Sequence, residues 1–215
     1  SRHPSHPTPP GSPSERWALA IEGPPRTAVQ PEHKGTKRLC GAGEMETTSR
    51  TVAGGHWGAS AAWAGGDFLG VEAATLALMR GVSEAFQTVL RGIEWQAGDE
   101  IVVSADEEAA LLLPALYLRD RFDIVVRRLP LVDADAHAQV AELQDCLSER
   151  TRLVAFSHVT TDLGYRLPAR ELCRCARERG IPSFVDMAHS CGLFPIDLAE
   201  TGCDYAGVLS YKWLY

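Results

Sequence analysis

The amino-acid sequence predicts an α/β fold with three layers, in which a mainly parallel β-sheet is covered by helices on both faces. Two observations predict it. From Leu69 onward, short apolar runs alternate with amphipathic stretches, and this alternation is typical of parallel sheets. In addition, 45% of the 215 residues are hydrophobic, which is ordinary for a globular protein and sufficient for a sizeable core.

Six strand patterns and five helix patterns follow one another after Leu69. A short apolar run indicates a strand buried in the sheet, and an amphipathic stretch indicates a helix that covers it. The predicted strands are, in order, ATLALM, EIVVSA, FDIVVRRLPL, TRLVAFSHV, IPSFVDMA and YAGVLSY. The predicted helices between them are SEAFQTVLRGI, EEAALLLPALYLRDR, DAHAQVAELQDCLSER, LPARELCRCARERG and PIDLAETG. The fourth helix is expected to end at Gly180, because glycine is common just beyond a helix C-terminus.

The N-terminal stretch has a different composition. Residues 1–66 are rich in Pro, Gly, Ser and Thr and show no sustained apolar period, which predicts an irregular or poorly ordered segment. The alternative is an N-terminal part of the fold whose sequence is scrambled by a wrong start or reading frame. Residues 67–215 are then expected to form the folded domain.

Composition also limits the class of protein. The net charge is −7 and no basic cluster runs along the folded part, which argues against a nucleic-acid partner. No apolar run approaches the roughly 20 residues that span a bilayer, and the N-terminus lacks the apolar stretch of a signal peptide. None of the six cysteines forms a Cys-x-x-Cys pair, so free thiols in a reducing compartment are expected, and the predicted location is cytoplasmic.

A glycine and a hydroxyl follow the first predicted strand, in RGVSEAF. Ligands of open α/β sheets bind beyond the carboxyl ends of the strands, so residues at these positions are candidates for a site. The backbone N–H groups of Gly81, Val82 and Ser83, with the Ser83 hydroxyl, would form a cradle for a phosphate at the start of a helix. The alternative is an ordinary serine N-cap without a ligand.

Two later strands end in an acid, a histidine and a lysine. Asp186 and His189 follow IPSFV, and Lys212 follows YAGVL. A carboxylate at the end of a buried strand needs a positive partner or hydrogen-bond donors, although a helix cap or structural ion pair would also satisfy it. Lys212 is the only lysine after Lys37, and an amine can lose its proton when it is desolvated, which arginine does not do. The alternative is that Lys212 is an incidental surface lysine without a function.

Together these residues suit pyridoxal 5'-phosphate (PLP), which requires a lysine amine, an anion cradle and a carboxylate against its ring nitrogen. The lysine would serve as imine partner and proton carrier. A metal site built from Asp106, Glu107 and Glu108 with His189 is disfavoured because no ligand spacing such as H-x-x-x-H is present. Nucleotide binding is disfavoured because the characteristic glycine-rich motifs are absent.

The sequence from about Leu69 to Tyr215 resembles the large domain of class V aminotransferase-type, fold-type I PLP enzymes. These include cysteine desulfurases, isopenicillin N epimerase-like proteins and kynureninases. The resemblance lies in RGVSEAFQTVLRGIEWQAGDEIVVS and in the block from TRLVAFSHV to LSYKW. It implies a PLP-dependent lyase, epimerase or aminotransferase that acts on a small amino acid, and a homodimer in the full-length protein.

The resemblance also implies a role for each matching residue. Lys212 matches the lysine that bonds to the cofactor, and Asp186 the carboxylate on the pyridine nitrogen. His189 matches the residue that hydrogen-bonds the ring hydroxyl. Val82 and Ser83 match the pair at the start of the phosphate helix, and a further residue, Tyr211, matches the kynureninase tyrosine that reaches the phosphate.

This sequence departs from the family pattern at several positions. Leu209 and Tyr211 replace a serine and a histidine of the desulfurases, and Thr161 replaces an asparagine. Glu108 stands where many relatives have a histidine that stacks on the cofactor ring.

Relatives also continue beyond the lysine into a smaller C-terminal domain that supplies an arginine for the substrate carboxylate. Residues 67–215 are therefore expected to be a partial large domain, and a truncated fragment without turnover is the alternative to an active enzyme. The sheet is expected to lack the closing strand that would follow Lys212, which would leave one sheet edge unpaired and prone to association.

Overall fold

A seven-stranded sheet forms the centre of the structure. The computed structural model describes residues 66–132, 135–209 and 212, together with the backbone of residues 17–21. The strands are β1 (Trp17–Ile21), β2 (Leu76–Met79), β3 (Glu100–Ser104), β4 (Val125–Leu129), β5 (Thr151–Ser157), β6 (Ser183–Asp186) and β7 (Tyr205–Leu209). Their order across the sheet is β2-β1-β7-β6-β5-β3-β4, and all six pairings are parallel.

Helices cover both faces of this sheet. They are α1 (Val82–Arg91), α2 (Ala109–Phe122), α3 (Ala136–Cys146), α4 (Ala169–Glu178) and the short α5 (Leu198–Thr201). Alternate residues of one strand enter different cores: Leu153 and Ala155 of β5 pack with α1 and α2, whereas Val154 and Phe156 pack with α3 and α4. This alternation follows from the two-residue period of a strand, and it buries the central strands on both faces. The predicted three-layer α/β/α fold is confirmed.

The predicted elements after Leu69 are present with shorter bounds. ATLALM is divided, because residues Ala73–Thr75 form a 3₁₀ turn and only Leu76–Met79 form β2. The fourth helix ends at Glu178, and Gly180 follows with a φ of 70°, the left-handed conformation that favours glycine. None of the described helices is both long enough and apolar enough to cross a membrane.

Strand β1 lies within the stretch that the sequence predicts to be irregular. Its backbone pairs with β2 on one side and with β7 on the other, in register from Trp17 opposite Tyr205 to Ile21 opposite Leu209. Strand β7 is therefore hydrogen-bonded on both sides, to β1 and to β6, and the edges of the described sheet are β2 and β4. The other residues before Gly66 lie outside the described part of the chain.

Candidate active site

The carboxyl ends of the parallel strands meet at one edge of the sheet and bring the predicted site residues to the same region. Asp186 ends β6, His189 follows it by three residues, and Lys212 follows β7 by three residues. Glu107 and Glu108 lie between β3 and α2. Since β3, β5, β6 and β7 are neighbours in that order, these side chains approach one another although they are distant in sequence.

Asp186 is a buried carboxylate at the floor of this region. It is 3% exposed, and its Oδ1 accepts a hydrogen bond of 2.8 Å from the backbone N–H of Ala188. The pKa of Asp186 is raised to about 7, mainly by burial. Glu107 and Glu108 contribute to this rise, whereas the N–H of Ala188 and the charge of Lys212 oppose it. Among the described residues, no hydrogen-bonded cationic side chain keeps this carboxyl fully ionised at neutral pH.

Lys212, His189 and Glu108 form a contact cluster in the neighbourhood of Asp186. The Nζ atom of Lys212 lies 2.7 Å from Nε2 of His189 and 3.9 Å from Oε1 of Glu108. The same Oε1 lies 4.0 Å from Nε2 of His189. Burial and the adjacent Lys212 charge hold the pKa of His189 below its ordinary value, so the neutral ring accepts a hydrogen bond from the ammonium group.

The adjacent acid, Glu107, is directed towards the interior. Its carboxylate accepts hydrogen bonds from Ser104 Oγ at 2.7 Å, from the backbone N–H of Ser157 at 3.0 Å, and from the Ser157 hydroxyl. Burial raises the pKa of Glu107 despite these donors. It links β3 to β5 directly behind the site, and the sequence did not distinguish its position from that of Glu108.

Helix α1 begins at the same edge of the sheet. Its N-cap is Gly81, which makes no side-chain capping bond, so the serine N-cap considered as the alternative is wrong. Val82 is 3% exposed, and the Ser83 side chain is exposed. The first backbone N–H groups of a helix have no partner within it, so those of Val82 and Ser83 are suited to bind an anion.

Gly207 of β7 permits this helix to approach the sheet. A Cβ atom at position 207 would lie 2.8 Å from Cγ1 of Val82 and 3.1 Å from Cζ of Phe184. Gly207 was not among the site residues predicted from the sequence. A glycine inside a strand pattern often marks a close approach of two chain segments, and that signal was present in YAGVL.

The other candidates have different positions. Tyr211 lies outside the described residues. Thr161 is exposed. His158 directly follows β5 at the same edge of the sheet; it is 6% exposed, and its Nδ1 lies 3.1 Å from Ser190 Oγ. Burial lowers the pKa of His158 to about 4, and the Arg166 charge adds to this effect. Asp106 accepts a hydrogen bond of 3.0 Å from the backbone N–H of Leu163, so it fixes a loop.

Two observations concern other kinds of site in the described part of the chain. Within it, no group of three or more His, Cys, Asp or Glu side chains is arranged to hold a metal ion. A groove of about 590 Å³ lies beside His158, with walls from the starts of α3 and α4 and from residues 195–197. Asp186, His189 and Lys212 are not among its lining residues, so the groove is separate from the cluster described above.

Comparison with known proteins identifies the family. The family model described as aminotransferase class-V matches residues 64–214. This chain belongs to that family. The match includes every candidate residue from Val82 to Lys212.

Several relatives have established names. Isopenicillin N epimerase from Streptomyces clavuligerus is 35% identical over 148 residues, which are 68% of this chain and 37% of the epimerase. A probable cysteine desulfurase from Pseudomonas aeruginosa is 38% identical over 135 residues, which are 62% of this chain and 33% of the desulfurase. The matched regions thus amount to about a third of the length of these relatives.

Solved structures match as well. Two structures of the cystine C–S lyase C-DES align with a TM-score of 0.67 and 28% identity, over 72% of this chain and 42% of theirs. One contains the reaction product cysteine persulfide, and the other is a variant with glycine covalently linked to the PLP cofactor. These matches agree with the α/β fold described above.

Proposed function

We propose that this chain carries the cofactor-binding region of a PLP-dependent enzyme that acts on an amino acid through Lys212. One observation carries the proposal: Lys212 Nζ lies 2.7 Å from His189 Nε2 at the sheet edge where Asp186 is buried. Family membership and the C-DES structure that contains PLP support it.

The residues present fit PLP at the ring nitrogen. Burial is the main cause that raises the pKa of Asp186 to about 7, so the charge of Lys212 only partly compensates the ionised form. A protonated pyridine nitrogen would supply both a positive charge and a hydrogen-bond donor to this carboxylate. A buried charge is stable only when it is paired, so the donor and the acceptor would stabilise each other.

The residues also fit PLP at the phosphate. The backbone N–H groups of Val82 and Ser83 begin the ten-residue helix α1, and Gly81 before them contributes no side chain that would occupy the space. The positive end of the helix dipole favours a phosphate dianion at this point. The exposed Ser83 hydroxyl could donate an additional hydrogen bond.

When bound, PLP supplies an aldehyde that reacts with amines and an aromatic ring that withdraws electrons from an attached amino acid. The residues of this chain supply the rest. Lys212 provides the primary amine, and its neutral form can accept a proton from a substrate carbon. His189 accepts a hydrogen bond from Nζ and holds the amine in one position. Asp186 provides the negative charge at the floor of the site.

The proposal covers lyase, epimerase and aminotransferase chemistry, because each requires a base that moves a proton beside the amino acid. A cofactor-binding chain without turnover is the second candidate, since the matched regions are only 33–37% of the length of the two named relatives. An amino-acid substrate and a homodimeric, cytoplasmic full-length protein are further parts of the proposal.

Covalent attachment tests the proposal. The 215-residue chain is mixed with PLP, reduced with borohydride, digested and analysed by peptide mass spectrometry. We expect visible absorbance before reduction and a pyridoxyl group on Lys212, which Lys212→Arg abolishes. A variant with Lys34→Arg and Lys37→Arg is the matched control and should retain the label. Attachment at Lys34 or Lys37 alone, or no attachment, would refute the proposal.

Turnover separates the two candidate functions. Cysteine, alanine and kynurenine are added to the PLP-loaded chain, and product formation is followed together with molecular size in solution. Steady turnover on any of them by a compact dimer would establish enzymatic activity for this chain. Covalent PLP without turnover would favour the cofactor-binding chain.

A further inference from the structure

The carboxylate of Glu108 is equally distant from two basic nitrogens. Its Oε1 lies 3.9 Å from Lys212 Nζ and 4.0 Å from His189 Nε2. These two nitrogens are 2.7 Å apart, which is hydrogen-bond distance, so the two nitrogens can share one proton. Coulomb attraction depends on distance, so the charge of Glu108 stabilises a positive charge on either nitrogen almost equally.

The Glu108 carboxylate has no capping role in the helix that it precedes. Glu108 is the N-cap residue of α2, but its side chain makes no capping hydrogen bond. Its neighbour Glu107, by contrast, is held by donors from Ser104 and Ser157. The side chain of Glu108 is 30% exposed, which leaves it accessible to solvent and able to face a ligand.

We propose that Glu108 keeps one proton on the Lys212–His189 pair, so that Lys212 passes its proton to His189, and not to solvent, when it bonds to an aldehyde carbon. This inference rests on the proposed function, because the aldehyde is that of PLP. Glu108 is therefore a positioning residue for charge and does not itself react.

The step balances with the groups named. Lys212 begins as an ammonium group with three hydrogens on Nζ. One proton passes to Nε2 of His189, and the nitrogen lone pair then attacks the aldehyde carbon. A carbon–nitrogen double bond replaces the carbon–oxygen double bond, and the oxygen leaves as water with the two remaining hydrogens. No oxidant or reductant is required.

The other described ionisable groups near Glu108, apart from Lys212 and His189, are acids. Asp186 at the end of β6 and Glu107 before α2 are both acidic, and Glu108 and Glu107 each raise the pKa of Asp186. In the described part of the chain, the basic groups in contact with Glu108 are Lys212 and His189. The positive charge that this acidic region favours is therefore concentrated on that pair.

Amine labelling of the cofactor-free chain tests the effect on Lys212 without relying on PLP. Dilute acetic anhydride acylates only neutral amines, and mass spectrometry reports the rate at Lys212 relative to Lys34 and Lys37. At pH 8 we expect Lys212 in Glu108→Gln to react about tenfold faster than in the wild type, because an opposite charge within about 4 Å is lost. A change of less than twofold in the folded variant overturns the proposal.

Two variants separate charge from shape. Glu108→Asp retains the charge, so its labelling rate should lie nearer to that of the wild type than to that of Glu108→Gln. Glu149→Gln removes an exposed carboxylate elsewhere and should leave the Lys212 rate unchanged. If the Asp and Gln variants react equally fast, side-chain geometry and not charge governs Lys212, and the proposal is wrong.

The cofactor-loaded chain tests where the proton goes. Nitrogen-15 NMR of His189 at pH 7.5 should show a charged ring after PLP attaches to Lys212, and a neutral ring in PLP-loaded Glu108→Gln. A neutral ring in the loaded wild type would overturn the proton transfer. If PLP does not attach to wild-type Lys212 while the labelling difference is still observed, the proposed function fails and the charge effect of Glu108 stands.

Discussion

Replacing Gly207 by alanine tests whether the start of α1 depends on its close contact with β7. The new Cβ would lie 2.8 Å from Val82 Cγ1, and ordinary contacts begin at 3.4 Å, so one side must move by about 0.6 Å. Val82 is β-branched and 3% exposed, so its side chain has little freedom to turn away. Cζ of Phe184 would also lie only 3.1 Å from the new Cβ.

The expected magnitude follows from two opposing effects. Overpacking a core typically costs about 1–3 kcal/mol, whereas glycine to alanine gains about 0.4–1 kcal/mol by restricting the unfolded chain. The backbone at position 207 is not in the left-handed region, so that gain applies. We therefore expect Gly207→Ala to lower the free energy of unfolding by about 1–2 kcal/mol and to weaken PLP binding, because α1 carries the proposed phosphate cradle.

Urea unfolding followed by circular dichroism measures this effect. The matched control is Gly92→Ala at the other end of α1, where the nearest atom to a new Cβ is a carbonyl oxygen 3.4 Å away and the backbone is helical. That variant should be as stable as the wild type or slightly more stable. In a double-mutant cycle, Val82→Ala should relieve at least ~1 kcal/mol of the Gly207→Ala cost. Equal stability of Gly207→Ala and the wild type would refute the reasoning.

Two further predictions concern ionisation. Burial raises the pKa of Asp186 from 3.8 to about 7, so the folded carboxyl binds its proton more tightly than the unfolded one, and the cofactor-free chain should lose stability as pH rises through this interval. Urea titrations of the wild type and of Asp186→Asn measure this effect. Between pH 4 and pH 8, the wild type should lose up to ~4 kcal/mol of unfolding free energy relative to the variant. A difference between the two proteins that stays constant with pH would contradict the prediction. Burial and the charge of Arg166 lower the pKa of His158 to about 4, so NMR should show a neutral ring at pH 5. A titration midpoint near 6 would be inconsistent with its packing against Phe194, 5.3 Å away between ring centres.

The sequence located most of the site because the polar residues stand directly after apolar runs. Asp186 and Lys212 could be placed at one edge without any knowledge of their contacts, since the ends of parallel strands meet there. The direction of Glu107 and Glu108 could not be predicted. They lie in a connection between β3 and α2, where neither the strand period nor the helix period fixes which side chain points inwards.

Strand β1 escaped prediction for a different reason. Its five residues, WALAI, stand in a stretch rich in Pro, Gly and Ser, without a helix pattern beside them. The segments that pair with β1 begin at Leu76 and Tyr205 and carry no local sign of that pairing. Long-range partners of a short strand are decided by the assembled sheet and not by the strand's own sequence.

The position of β1 also sets the order in which the sheet can be completed. Trp17 and Tyr205 are neighbours in the sheet although 188 positions separate them along the chain. During synthesis at about 5–20 residues per second, β1 and β2 would wait on the order of ten seconds or more for β7. In that interval a two-stranded β2–β1 ribbon and a separate β6-β5-β3-β4 sheet each present an open edge, to which another chain could add. Strand β7, the last of the seven to be synthesised, joins these two parts and closes both edges in one event.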